Sequence, residues 1–135
     1  MSLSNTAETA TLDQIFKGTA LPWNANTDLW IALHTADPGE AGTAVTSEAT
    51  YTSYARVSLV RSTGFTVAGN TITNAALAQF PQSTGGSNTI TYASIVTTAS
   101  GAGTIIVRAA LSSSISVTNG VQPQFAADAL SFTID

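Results

Sequence analysis

The sequence predicts an all-β fold, a β-sandwich or jelly-roll-like antiparallel domain preceded by a short N-terminal helix or arm. Three observations carry this expectation. From residue 28 onward the apolar residues recur at every second position, the period of a strand rather than of a helix. The runs are short and rich in Val, Ile, Thr, Tyr and Phe. Between them stand turn pairs built on Gly, Pro and Asn, at the spacing that gives about eight short strands.

The chain divides into residues 1–27, an arm with a short helix, and residues 28–135, the sandwich, together one structural domain. At 135 residues it falls in the roughly 100–150-residue range of a chain with a single core. Over residues 10–17, Leu12, Ile15 and Phe16 fall at helical spacing. Thr11 and Gln14 are placed as a capping box and Gly18 as a stop. Residues 1–8 lack apolar periodicity and read as a docking arm or a frayed end.

Strand periodicity begins at 28–35, with Leu29, Ile31 and Leu33 on one face and Trp30, Ala32 and His34 on the other. The Pro- and Gly-dense stretch that follows cannot hold a ladder, so 37–50 is expected as a long loop and a candidate contact surface. A strand at 54–61 precedes a hairpin, 64–68 and 71–73, turning at Gly69 and Asn70. Further strands are expected at 76–80, 90–97, 104–111, 115–118 and 130–134.

Charged residues make up 9 % of the chain, against about 25 % in an ordinary soluble protein. A surface so poor in charge suits a protein covered by neighbours, which favours an oligomer or a lattice component. With net charge −4 and four cations, Lys17, Arg56, Arg61 and Arg108, the chain has little with which to neutralise phosphates, and no nucleic-acid partner is expected. No apolar run approaches the ~18 residues of a membrane helix, so no membrane partner is expected either. The N-terminus lacks the basic and apolar regions of a secretory signal, which predicts a protein made in a cytoplasm. The absence of cysteine excludes disulfides, thiolate metal sites and thiol nucleophiles.

Catalysis finds little material. His34, near Asp37, can be drawn into a triad with any of many serines, which gives the drawing no force. Asp28, Asp37 and Glu40 could meet at a loop, but solvated carboxylates are the simpler reading than a Ca²⁺ site. There is no P-loop, Rossmann or HExxH signature. Hence no catalytic residue, no metal site and no cofactor are expected, and the chain is read as a non-enzyme.

The candidate interface residues are Trp23, Trp30, Tyr51, Tyr54, Arg56, Arg61 and Arg108. The rings serve either as core and interface anchors or as a sugar-stacking platform. Guanidinium groups within strands require partners, drawn from Glu40, Glu48 or Asp128 within the chain or from a neighbour across a boundary.

At the run Leu29-Trp-Ile-Ala-Leu-His-Thr-Ala-Asp-Pro-Gly-Glu-Ala-Gly42, followed by Tyr54-Ala-Arg-Val57, the sequence resembles small virion proteins of tailed bacteriophages, described as tail-fibre or minor structural proteins. The resemblance continues through Asn74-Ala75, Phe80-Pro81, Ser100-Gly-Ala-Gly103 and Gly120-Val-Gln-Pro-Gln-Phe-Ala126. The chain departs from the pattern at Ser53, where a glycine often precedes the Tyr-Ala-Arg element, and at Leu21-Pro-Trp23. The resemblance implies a non-enzymatic structural role in the virion. The expected function is capsid decoration: a homotrimer on the outer capsid surface that bridges major capsid protein subunits and cements the head. The alternative is a tail or tail-fibre component, with a host surface glycan as partner.

Overall fold

The computed structural model describes residues 3–135. Its first element is helix α1 (Asn5–Lys17), begun by Ser4, whose hydroxyl accepts from the Ala7 N–H. Glu8 in the first turn and Lys17 in the last complement the helix dipole. Gly18 closes the helix at φ 69°, a left-handed conformation that suits glycine. The helix starts five residues earlier than 10–17. Thr11 is therefore no cap: it lies inside the helix and donates to the Ala7 carbonyl. Of the arm reading for residues 1–8, Met1 and Ser2 lie outside the described residues. Leu3 bridges to Val107, and the Ser4 N–H and hydroxyl donate to the carbonyls of Ile106 and Ile105, so this stretch extends a sheet edge.

All paired strands are antiparallel. The larger sheet has the order β2-β1-β6-β7, from β1 (Asp28–His34), β2 (Val57–Val60), β6 (Asn88–Val96) and β7 (Ile105–Val117). A second sheet, β3-β4-β9, is built from β3 (Phe65–Ala68), β4 (Thr71–Asn74) and β9 (Ser131–Thr133). A short pair joins β5 (Ala78–Gln79) to β8 (Gln124–Phe125). The expected hairpin turns at Gly69, which takes φ 61°.

Period-two alternation sorts the larger sheet into two faces. Leu29, Ile31, Leu33, Ala93, Ile95, Val107 and Ala109 point to one side, where they join Phe132 of the second sheet, Phe80 and Trp23 in the main core. Phe65 and Ile72 pack against the same cluster. Ala32, Val96 and, across the register shift between Ile95 and Val96, Ile105 belong to a smaller cluster with Ala44, against which Trp30 packs.

The observed strands differ from the expected ones in three places. Segments 104–111 and 115–118 form one strand, because two steps along β6 (Ile90 to Tyr92) match five along β7 (Ala110 to Ile115). The extra residues, including exposed Ser112, Ser113 and Ser114, bulge outward without ending the strand. Segment 54–61 shortens to Val57–Val60, since the Tyr54 N–H turns back to the Tyr51 carbonyl. Segment 76–80 shortens to two residues, and its partner β8 carries too little periodicity to be read.

Candidate functional site

Three features bear on function: a polar network under the loop 35–50, the arginines, and the surface that α1 presents. The loop does not stand away from the body as a free contact surface. It folds back over the second face of the larger sheet, tied by Thr35 N–H to the Ser47 carbonyl, Ala49 N–H to the Leu33 carbonyl and Ala44 N–H to the Gly103 carbonyl. Its own Ala44 is buried in the smaller cluster and its Ala49 in the main core.

His34 lies under this strap. Its Nδ1 is 2.8 Å from the Thr46 carbonyl, which can only accept, so Nδ1 carries the proton and Nε2 accepts from the Ser94 hydroxyl at 2.7 Å. Burial pushes the imidazole pKa below its ordinary value, outweighing the Thr46 carbonyl and the nearby Glu48. A serine hydroxyl on a histidine has the outline of a nucleophile and its base. Yet His34 and Ser94 are both wholly buried, and a backbone carbonyl occupies the place of the triad carboxylate.

Glu48 is the hub of the second part. Arg56 binds it through Nε–Oε1 at 2.6 Å and Nη2–Oε2 at 2.8 Å, and also donates to the carbonyls of Thr98 and Gly101. Tyr54 donates its hydroxyl proton to Glu48 and accepts from the Leu33 N–H. Burial drives the Tyr54 phenol far above its ordinary pKa and that of Tyr51 up to about 12. Burial alone would lower the Arg56 pKa, but the carboxylate of Glu48 more than compensates and raises it.

The seven candidate interface residues separate accordingly. Trp23 and Tyr51 are buried in the main core, where Tyr51, Tyr54, Phe80 and Phe125 form a chain of ring contacts with centroids 5.4–6.4 Å apart. Trp30 is half-buried on the opposite face. These rings form no shared exposed platform. Arg56 is buried on Glu48, one of the expected partners. Arg108 instead holds Asp37, Nε–Oδ1 2.7 Å, and so clasps the start of the strap to β7. Burial would raise the Asp37 pKa, but the Gly39 N–H and Arg108 together hold it below the carboxylate norm. Arg61 pairs with none of the expected acids: its Nη1 donates to the Trp23 and Asn24 carbonyls, each at 3.1 Å.

The acidic loop cluster does not assemble, since Asp28 accepts from the Ser58 hydroxyl and Asp37 takes Arg108. Among the described residues no group of three or more potential ligands could hold a metal ion, and no helix is long and apolar enough to cross a membrane.

The third feature is the outer surface of α1. The helix buries Ala7 and Ala10, while Leu12, Ile15 and Phe16 are 55 %, 65 % and 77 % exposed. Its apolar stripe faces outward because close packing against β7 admits only the small alanine side chains.

Residues 2–133 match the family model Gp80, described as Podophage GP4 fiber I protein gp80. No curated protein matches the chain.

Proposed function

The chain belongs to the podophage GP4 fiber I protein gp80 family, and on that premise we propose that it is a structural component of a phage tail fibre that works by assembly and catalyses no reaction. The family match over residues 2–133 carries this reading. The family description names a fibre and contains nothing of capsid decoration. The family match therefore supports the tail-side alternative better than the expected cement role on the outer capsid surface, with a homotrimer bridging major capsid protein.

The chemistry of the chain supports an assembly role. Its one imidazole is wholly buried and engaged at both nitrogens. Its charged side chains are used largely to tie segments of the fold together, as in Arg56–Glu48 and Arg108–Asp37. The receptor-binding version of the fibre role, in which aromatic rings stack on a host glycan, is weakened by the burial of Trp23 and Tyr51 and the engagement of Tyr54 with Glu48. A connector or shaft component fits better than a sugar-reading tip.

Immunogold labelling of intact particles with an antibody against this chain tests the placement. Label at the tail or its appendages is expected. Label distributed over the head would overturn the reading.

A further inference from the structure

We propose that the outward stripe of α1 in one copy of this chain docks into an apolar cleft between the two sheets of a second copy. At 3.6 residues per turn, Glu8, Leu12, Ile15 and Phe16 share a face about 100° wide, opposite the buried Ala7 and Ala10. The stripe is thus an acidic group at one end and three large apolar side chains at the other. In a chain with so few charges it is a concentrated patch: Phe16 alone presents on the order of 150 Å².

The receiving cleft has the complementary chemistry. It is about 200 Å³, walled by Leu29, Ile106, Phe65, Ile72 and Ile134, with Val67 at its lip and Arg61 the sole charged group lining it. That volume is below the roughly 300–1,000 Å³ of small-molecule sites, and suits one or two protruding side chains. Arg61 is pinned by backbone carbonyls on Nη1 alone, and has no carboxylate partner among the described residues. Glu8 is an exposed carboxylate with no cation partner among them either. Seating Leu12 and Phe16 in the cleft would bring a free acid to the end of a contact whose receiving side carries a guanidinium lacking one.

The stripe and the cleft are different patches, so each copy offers one of each. One stripe in one cleft falls short of the roughly 800 Å² per partner of a standard interface. A closed assembly, either a reciprocal pair or a ring, engages both patches of every copy and comes nearer to it. The proposal concerns this chain's contact with itself and stands apart from where the fibre sits in the particle.

Disulfide trapping tests it cleanly, because the chain contains no cysteine. Purified Phe16→Cys and Val67→Cys single variants, mixed and mildly oxidised, are expected to give a covalent heterodimer. Phe16→Cys mixed with Leu77→Cys, an exposed control outside the cleft, is expected to give little. In sedimentation velocity the wild type should self-associate, and Phe16→Ala should weaken association at least tenfold while leaving the thermal midpoint unchanged at concentrations dilute enough that both are monomeric, since the side chain is exposed in the single copy. Glu8→Arg should weaken it and Glu8→Arg with Arg61→Glu should restore it. A wild type that stays monomeric at every soluble concentration, an oligomer indifferent to Phe16→Ala, or equal trapping at Leu77 would each overturn the proposal, while leaving the labelling result on particles unaffected.

Discussion

Arg56 and Glu48 meet through two parallel hydrogen bonds, 2.6 and 2.8 Å long, with side-chain exposures of 2 % and 15 %. Glu48 belongs to the strap and Arg56 to the segment leading into β2, so the pair fastens the 35–50 loop to the sheet. The remaining donors of Arg56 fix the turn at Thr98 and Gly101. One ion pair between neighbouring segments therefore also holds a turn more than 40 residues further along the chain.

Removing one partner should cost far more than replacing both. Glu48→Ala strands a buried guanidinium, and a loss of about 3–5 kcal/mol of unfolding free energy is expected. Glu48→Ala with Arg56→Met should cost less than the sum of the two single changes. Urea denaturation of the three variants measures this, and additive losses would remove the pair from its fastening role.

The single imidazole makes acid sensitivity assignable. Burial depresses the pKa of His34 in the folded state, so the unfolded chain takes up the proton first, near its ordinary value of about 6.5. Stability is then fully present above pH ~6.5 and declines as pH falls below that value toward the folded-state pKa. Thermal midpoints across pH 5–8 should show this slope in the wild type and lose it in His34→Gln. Persistence of the slope in the variant would assign it elsewhere.

Ser53 occupies φ 81°, a left-handed conformation that costs a side chain bearing Cβ roughly 1–2 kcal/mol. The serine stands where the resemblance leads one to expect glycine. Ser53→Gly should raise stability by about 1 kcal/mol despite the loss of its exposed hydrogen bond to Thr84. Ser53→Ala should not, and chemical denaturation of the two distinguishes relief of backbone strain from loss of the hydroxyl.

Ser4 both starts α1 and ties it to the edge of β7, donating to the Ile105 carbonyl while accepting from Ala7. Ser4→Ala should destabilise the chain by roughly 1–2 kcal/mol. Amide exchange should rise first over residues 5–12. Unchanged protection there would mean that packing of Ala7 and Ala10 holds the helix without the cap.

The all-β character was legible because alternation at 28–34, the Gly69 turn and the β-branched runs are local signals, and each survived into the fold. The aromatic and arginine residues were legible as important and not as to where they lie. Core and interface anchors have the same chemistry, and only burial separates Tyr51 from an exposed ring. The pairing of Arg108 with Asp37 joins residues 71 positions apart and could not be told from pairing with Glu40 by sequence. The helical stripe was legible as a stripe and not as to which way it faces. Leu12, Ile15 and Phe16 have the spacing of a core face, but the helix packs through Ala7 and Ala10, and the small residues that allow close approach leave no periodic trace. The strap likewise reads as an exposed loop from its Pro and Gly content, whereas Glu48 and the carbonyl of Thr46 bind it down.

As a fibre component the chain should be a low-copy constituent of the phage particle. Quantitative mass spectrometry of purified virions, referenced to the major capsid protein, tests it most directly. A copy number far below that of the capsid protein is expected. A copy number comparable to the capsid protein, or absence from the particle, would contradict it.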